Sequence, residues 1–206
     1  MLPVRLATHA DEAAAIADDI GYPVVLKIVS KDIIHKSDVG GVVVGIDDRE
    51  SVKKAYNTII ERAGRLQPNA EITGVLVEKM APHGEEVILG MNRYPVFGPL
   101  LMCGLGGIFV ELFQDVVFRL APIQRNEARR MVRSIKGYKL FKGFRGRPKA
   151  DVEEIEKAVV RLSDMVMGHP EIIEMDVNPL LVHAQGNGAT VADCRIILKE
   201  PDEQNG

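Results

Sequence analysis

Residues 172–183 read IIEMDVNPLLVH and residues 190–198 read TVADCRIIL, with AQGNG between them. Two apolar runs across a glycine-rich link predict a β-hairpin. Side chains alternate along a strand, so Ile173, Met175 and Val177 are expected on one face and Glu174, Asp176 and Asn178 on the other. Pairing centred between Gln185 and Gly186 sets Asn178 opposite Asp193, with side chains about 5 Å apart; a turn centred on Gly186 shifts this by one residue. That face then gathers Glu174, Asp176, Asn178 and Asp193, with no Lys or Arg on it between residues 172 and 194. Three carboxylates and an amide without a counter-charge repel one another unless a cation lies among them. Hard oxygen donors suit magnesium, which takes one or two carboxylates and leaves positions for substrate phosphates. The plainer alternative is a half-solvated strand.

The chain around this hairpin is ordinary in bulk. Its 206 residues are 46% hydrophobic and 27% charged, enough to bury a core in one domain or two small lobes. A net charge of −3 without a dense basic face argues against nucleic acid. No apolar run reaches the roughly 18 to 20 residues that span a bilayer, and MLPVRLATHADEAAA lacks a signal peptide's basic and apolar regions. Cys103 and Cys194 stand far from any CxxC spacing, which predicts two buried, reduced thiols and a cytoplasmic setting.

Periodicity predicts a mixed α/β chain. Thr8, with Asp11 three residues on, marks a helix start before DEAAAIADDIGYP, and Gly21 and Pro23 stop that helix. Strands are expected at 24–29, 42–46 and 72–80. Val52, Ala55, Tyr56, Ile59, Ile60 and Ala63 place a helix over 50–65. The first part thus reads α, β, β, α, β. Beyond Ala81-Pro82-His83-Gly84, strands EEVILGM, LLMCGLGG, IFVELF and DVVFRLAP precede helices over Asn126–Lys136 and Asp151–Met167. The basic segment GYKLFKGFRGRPK between those helices reads as a surface loop or a mobile lid. Boundaries are expected at 1–79, 80–200 and a flexible tail, 201–206. Two α+β lobes of this kind form a ligand-binding architecture.

A second segment carries chemistry. Lys27 lies in the apolar strand VVLKIV, and Ile34-His35-Lys36-Ser37-Asp38-Val39-Gly40-Gly41 comes after it. In isolation Lys27 reads as a snorkelling surface lysine, and Glu78 and Glu86 as surface acids. At the junction of the lobes, however, a carboxylate such as Glu78 can accept from an exocyclic amine or a sugar hydroxyl.

Together GYPVVLKIVSKDIIHKSDVGGV, VLVEKMAPHGEEVILG, FGPLLMCGLGGIFVELFQDVVFRLAP and EMDVNPL…VADCRIIL resemble the ATP-grasp domain of ADP-forming acyl-CoA synthetases, over residues 4 to 199. The succinate–CoA ligase β subunit shares the Lys…GGV, Glu…Glu and Asn-Pro…Asp skeleton. The resemblance implies an α+β ATP-grasp fold whose two lobes enclose a nucleotide cleft. It implies that Lys27 binds nucleotide phosphate and that Ile34, His35, Lys36, Gly40 and Gly41 form a phosphate loop. In that loop, glycines let backbone N–H groups approach the anion and Lys36 adds charge. Glu78 matches the hinge acid, Ala81 a hinge backbone contact, and Glu86 the acid near the ribose. Asn178 and Asp193 match the magnesium ligands. His35 is similar to the histidine that takes the phosphoryl group on its way between ATP and the partner's active site; a neutral imidazole is nucleophilic at cellular pH.

The implied activity is acyl-CoA, ADP and phosphate giving acid, CoA and ATP, with Mg2+ and ATP/ADP bound here. The family's β-type chain has a further helix ahead of PVRLAT, so a piece of a longer fused polypeptide is one expectation. No CoA-binding unit is legible, because GLGGIF leads into strand-like rather than helical sequence. The partner is then a CoA-binding α-type subunit or fused domain carrying a second histidine, and this part alone is inactive as a ligase. Two other readings stand beside this one. They are a regulatory ATP-grasp domain fused to a protein lysine acetyltransferase, and a subunit of a succinate-type CoA ligase.

Overall fold

The computed structural model describes residues 2–33, 36–107, 114–143 and 146–199. The chain divides into two compact units, Met1–Ala81 and Pro82–Gly206. The expected strand IFVELF and the tail 201–206 both lie outside the described residues.

The first unit runs β1 (Val4–Ala7), α1 (Ala10–Ile20), β2 (Val24–Ser30), β3 (Val42–Ile46), α2 (Arg49–Leu66) and β4 (Ile72–Lys79). Its strands form one antiparallel sheet in the order β1-β4-β2-β3. Strand β1 is absent from the sequence reading for a physical reason. Of its four residues only Ala7 is buried, so it carries no hydrophobic alternation and is held by its ladder to β4.

Helix α1 starts one residue later than Thr8 implies. His9 is the cap, its Nδ1 accepting from the Glu12 N–H, and the Glu12 carboxylate accepts from the Thr8 N–H and hydroxyl. Asp48 caps α2 by accepting from the Ser51 N–H at 2.9 Å, and Val52, Ala55, Tyr56, Ile59 and Ala63 form its buried stripe. Both helices pack on the sheet face that carries Leu26, Ile28, Val75 and Val77. Strand alternation turns Lys27 and Glu78 to the opposite face.

The second unit runs β5 (Glu85–Tyr94), β6 (Gly98–Leu105), β7 (Val116–Leu120), α3 (Arg125–Arg133), a 3-10 helix (Lys136–Lys142), α4 (Val152–Gly168), β8 (Ile172–Val182), β9 (Ala189–Val191) and β10 (Cys194–Leu198). Its antiparallel sheet has the order β10-β8-β5-β6-β7, with β9 also on β8. Leu89, Met91, Leu101 and Cys103 meet Met131 and Val132 of α3 and Ile155, Val159, Leu162 and Val166 of α4 in one core. Each such aliphatic side chain contributes about 1.5–3 kcal/mol on burial.

Three expectations need correction here. The basic segment after α3 is not a free loop through Lys142. Phe141 is only 1% exposed and packs edge-on against Tyr138, while Asp115 accepts from the N–H groups of Lys136 and Gly137 at 2.8 and 2.6 Å. Helix α3 ends at Arg133, where the chain tightens into that 3-10 turn. At the start of β8 it is Ile172 that enters the core, while Ile173 is exposed; the β8–β10 register shifts there.

Candidate functional site: a cation–carboxylate pair and an oxygen-rich hairpin

Lys27 lies on β2 opposite Leu76 of β4, and Val25 lies opposite Glu78. Lys27 and Glu78 are therefore diagonal neighbours on the face free of helices. Lys27 Nζ approaches Glu78 Oε2 to 2.6 Å, with the side chains 10% and 18% exposed. A lysine inside a four-stranded sheet has to be paired, and this carboxylate pairs it. Sequence reasoning singled out both residues but gave them separate tasks; the structure brings them together.

The loop after β2 is described from Lys36 onward, and Ile34 and His35 lie outside the described residues. The Gly40 N–H donates to Ser37 O at 3.0 Å and the Gly41 N–H to Lys36 O at 2.8 Å. In this conformation both amides close the turn rather than point to an anion, contrary to the expectation for a phosphate loop. The glycines are needed for other reasons. Gly40 has φ +62, and a Cβ on Gly41 would lie 2.5 Å from Ile28 Cγ2 and 2.9 Å from Lys36 O. Gly41 O accepts from the Ile28 N–H at 2.8 Å, which ties the turn to β2.

Ala81 ends the first unit in irregular, half-buried backbone. Glu86 is exposed on β5, and the backbone just after β6 passes close to it. The Gly106 N–H donates to Glu86 O at 2.8 Å, and a Cβ on Gly107 would meet Glu86 Oε2 at 2.7 Å. The GLGG stretch thus lets backbone run against this acid, a purpose its sequence alone does not reveal.

The hairpin register is the expected one. Leu180 pairs with Val191 and Val177 with Cys194, and between them the Asn178 N–H donates to Asp193 O at 3.1 Å. Asp193 Oδ1 accepts from the Cys194 N–H. The face is less bare of cations than expected. Arg195, just past the window searched in the sequence, pairs with Asp176 in register and forms an ion pair with Glu174. This removes Glu174 from the candidate ligands. Cys194 is exposed, not buried, because it lies on the edge strand. Its thiol pKa is raised by partial burial and by the negative charges of Asp193 and Asp176.

An amide and a carboxylate are hard donors. The pair fits a cation that needs few protein ligands. Among the described residues no cluster of three His, Cys, Asp or Glu groups forms a protein cage for a metal. None of the described helices is long and apolar enough to cross a membrane.

The family description "ATP-grasp domain" matches residues 1–198. The chain is 46% identical over 198 residues to an acetate–CoA ligase (ADP-forming) I of Archaeoglobus fulgidus, covering 96% of this chain and 28% of that relative. The chain therefore spans less than a third of that protein's length. It is 46% identical over 202 residues to the β subunit of acetate–CoA ligase (ADP-forming) II of Pyrococcus furiosus, covering 96% of this chain and 86% of that subunit. A solved structure of acetyl-coenzyme A synthetase 1 of Ca. Korarchaeum cryptofilum, in complex with coenzyme A, Ca-AMPCP and HgCl+, superposes with a TM-score of 0.91 at 49% identity. It covers 97% of this chain and 86% of that one. The same enzyme with Mg-AMPPCP, its phosphohistidine segment pointing towards the nucleotide-binding site, gives a TM-score of 0.80 at 45% identity, covering 97% of this chain and 85% of that one. The fold, the family match along almost the whole chain and the β-subunit likeness agree: this chain belongs to the ATP-grasp family, in the form found as the β part of ADP-forming acetate–CoA ligases.

Proposed function

We propose that this chain is the nucleotide-binding part of an ADP-forming acid–CoA ligase. With a CoA-binding partner it would convert acyl-CoA, ADP and phosphate into acid, CoA and ATP. The observation that carries this reading is the pairing of Asn178 with Asp193 in a chain 46% identical to a ligase β subunit. Lys27, fixed by Glu78, would bind nucleotide phosphate, and Glu86 and Ala81 would contact the sugar and base. Asn178 and Asp193 would hold a magnesium ion, which neutralises phosphate charge when bound. His35 would carry the phosphoryl group. Its ring nitrogen would take the phosphoryl group from the partner's phosphorylated histidine, whose N–P bond breaks as the new one forms, and the new N–P bond would in turn break as an ADP phosphate oxygen attacks, freeing the imidazole. Lys36 would lower the charge beside it, since phosphoryl transfer depends mainly on positioning and neutralisation. Because acid and CoA are handled by the partner, this part alone would be inactive. Such a reaction draws on the ATP and CoA pools of the cytoplasm.

Reconstitution tests the proposal. The chain is mixed with a CoA-binding partner subunit, acetyl-CoA, ADP and phosphate, and ATP is measured. ATP should form only with both proteins present and should disappear with Asp193→Asn. Turnover unaffected by Asp193→Asn would overturn the metal assignment. Failure of the chain to bind ADP by calorimetry, with magnesium present, would overturn the nucleotide assignment.

A further inference from the structure

Arg195 sits where the oxygen-rich face of the hairpin would otherwise carry only negative charge. Asp176 on β8 has Gly90 of β5 in register on one side and Arg195 of β10 on the other. Gly90 brings no side chain, so the cross-strand side chain that Asp176 meets is the guanidinium. At the next position on that face of β8, Glu174 forms an ion pair with Arg195, the two side chains 34% and 44% exposed. Glu174, Asp176 and Arg195 share a recess of about 220 Å³ with the apolar Met102 and Phe118. Among the described residues lining that recess, Arg195 carries the only positive charge.

Strand alternation puts Asn178 on the same face of β8 as Asp176. Asn178 lies two residues beyond Asp176, and Asp193 two residues before Arg195. Two residues of strand set Arg195 about 7 Å along the hairpin from the Asn178–Asp193 pair. A unit positive charge and a dication about 7 Å apart repel strongly enough, even in water, to weaken binding roughly tenfold. Arg195 also engages Glu174, a carboxylate that would otherwise add to the attraction for a cation.

We propose that Arg195 is a specificity-determining residue of the metal site. It weakens the hairpin's hold on a bare divalent cation, so that magnesium is held tightly only together with nucleotide phosphate. The inference rests on the reading of Asn178 and Asp193 as metal ligands. Phosphate brings the negative charge that Arg195 cancels on the protein side. It also supplies oxygen donors for the positions that two protein ligands leave open. Without Arg195 the hairpin becomes a site for the bare metal, because Glu174 and Asp176 keep their charges and lose their counter-ion.

The test measures magnesium binding to the chain by calorimetry, first without nucleotide. An ion pair this exposed contributes little to stability, so Arg195→Met should fold, which circular dichroism checks. Arg195→Met should bind bare magnesium about tenfold or more tightly than the natural chain, and Arg195→Lys should not. Adding Glu174→Gln to Arg195→Met restores the charge balance of the face and should return the affinity to within about threefold of the natural value. Adding Asp193→Asn instead should abolish the gain. A gain of binding is not what a damaged fold produces. If Arg195→Met binds bare magnesium no more tightly, while magnesium still promotes ADP binding in the natural chain, this inference falls and the metal site stands. A gain that survives Asp193→Asn would put the cation elsewhere on the face and also overturn it. ADP binding indifferent to magnesium in the natural chain would remove the metal reading, and this inference with it.

Discussion

Lys27 Nζ and Glu78 Oε2 stand 2.6 Å apart on the helix-free face of the first sheet, each side chain largely withdrawn from water. Removing one partner of such a pair strands the other's charge, at a cost on the order of 3 kcal/mol. Lys27→Met should therefore lower stability by about that amount, and Glu78→Leu similarly. The double variant should recover much of the loss, because two apolar groups in place of a buried ion pair are often nearly neutral. Denaturant unfolding of the four proteins measures this coupling. Strict additivity of the two losses would show that the pair is not a unit. Nucleotide binding gives a second readout: the stable double variant should still fail to bind ADP if Lys27 is its phosphate ligand.

Cys194 reports on the proposed metal site. Its pKa is raised by partial burial and by Asp193 and Asp176, so its alkylation should need a higher pH than that of an unstructured thiol. Cys103, fully buried and pushed up to about 12, should not react in the folded chain. A cation at Asn178 and Asp193 would oppose the carboxylate field and favour the thiolate. Millimolar magnesium should therefore speed alkylation of Cys194 at pH 8, and Asp193→Asn should be fast without it. Rates indifferent to both changes would remove the cation from this hairpin.

The turn at Gly40 and Gly41 separates two uses of glycine. Gly41→Ala would press a methyl group to 2.5 Å from Ile28 Cγ2 and 2.9 Å from the Lys36 carbonyl, so it should cost about 1–3 kcal/mol. Gly45→Ala meets nothing within 4 Å and should cost only the strain of its positive φ, about 1 kcal/mol. Thermal unfolding of the two variants checks the order. If Gly41→Ala proves the milder, packing against β2 is not what this position demands.

Most of the architecture was legible because buried residues repeat at a period. The stripes of α2 and α4 and the runs of β2, β5 and β6 all face a core. Strand β1 escaped because its side chains are exposed, and the 3-10 turn at Lys136–Lys142 because its hold on the core rests on Phe141 and on the distant Asp115. The Asn178–Asp193 register followed from counting out from the hairpin centre, since local pairing is set by chain geometry. The same count stopped one residue before Arg195, and so credited Glu174 with a freedom it lacks. Gly106 and Gly107 had no legible purpose, because what they approach, Glu86, lies on another strand.

His35 carries the most specific step of the proposed chemistry. If it relays phosphate, incubating the chain with its CoA-binding partner, acetyl-CoA and phosphate should leave an acid-labile, base-stable phosphohistidine within residues 31–49. His35→Ala should abolish ATP formation yet leave ADP binding within about twofold, since Lys27, Glu78, Asn178 and Asp193 remain. His35→Asn separates relay from recognition. An asparagine can still donate a hydrogen bond to a phosphate oxygen but offers no nucleophilic nitrogen. Loss of turnover in both variants, with binding retained, is the expected pattern. Turnover surviving in His35→Asn would reduce His35 to a binding group and send the phosphoryl transfer directly between the partner and ADP.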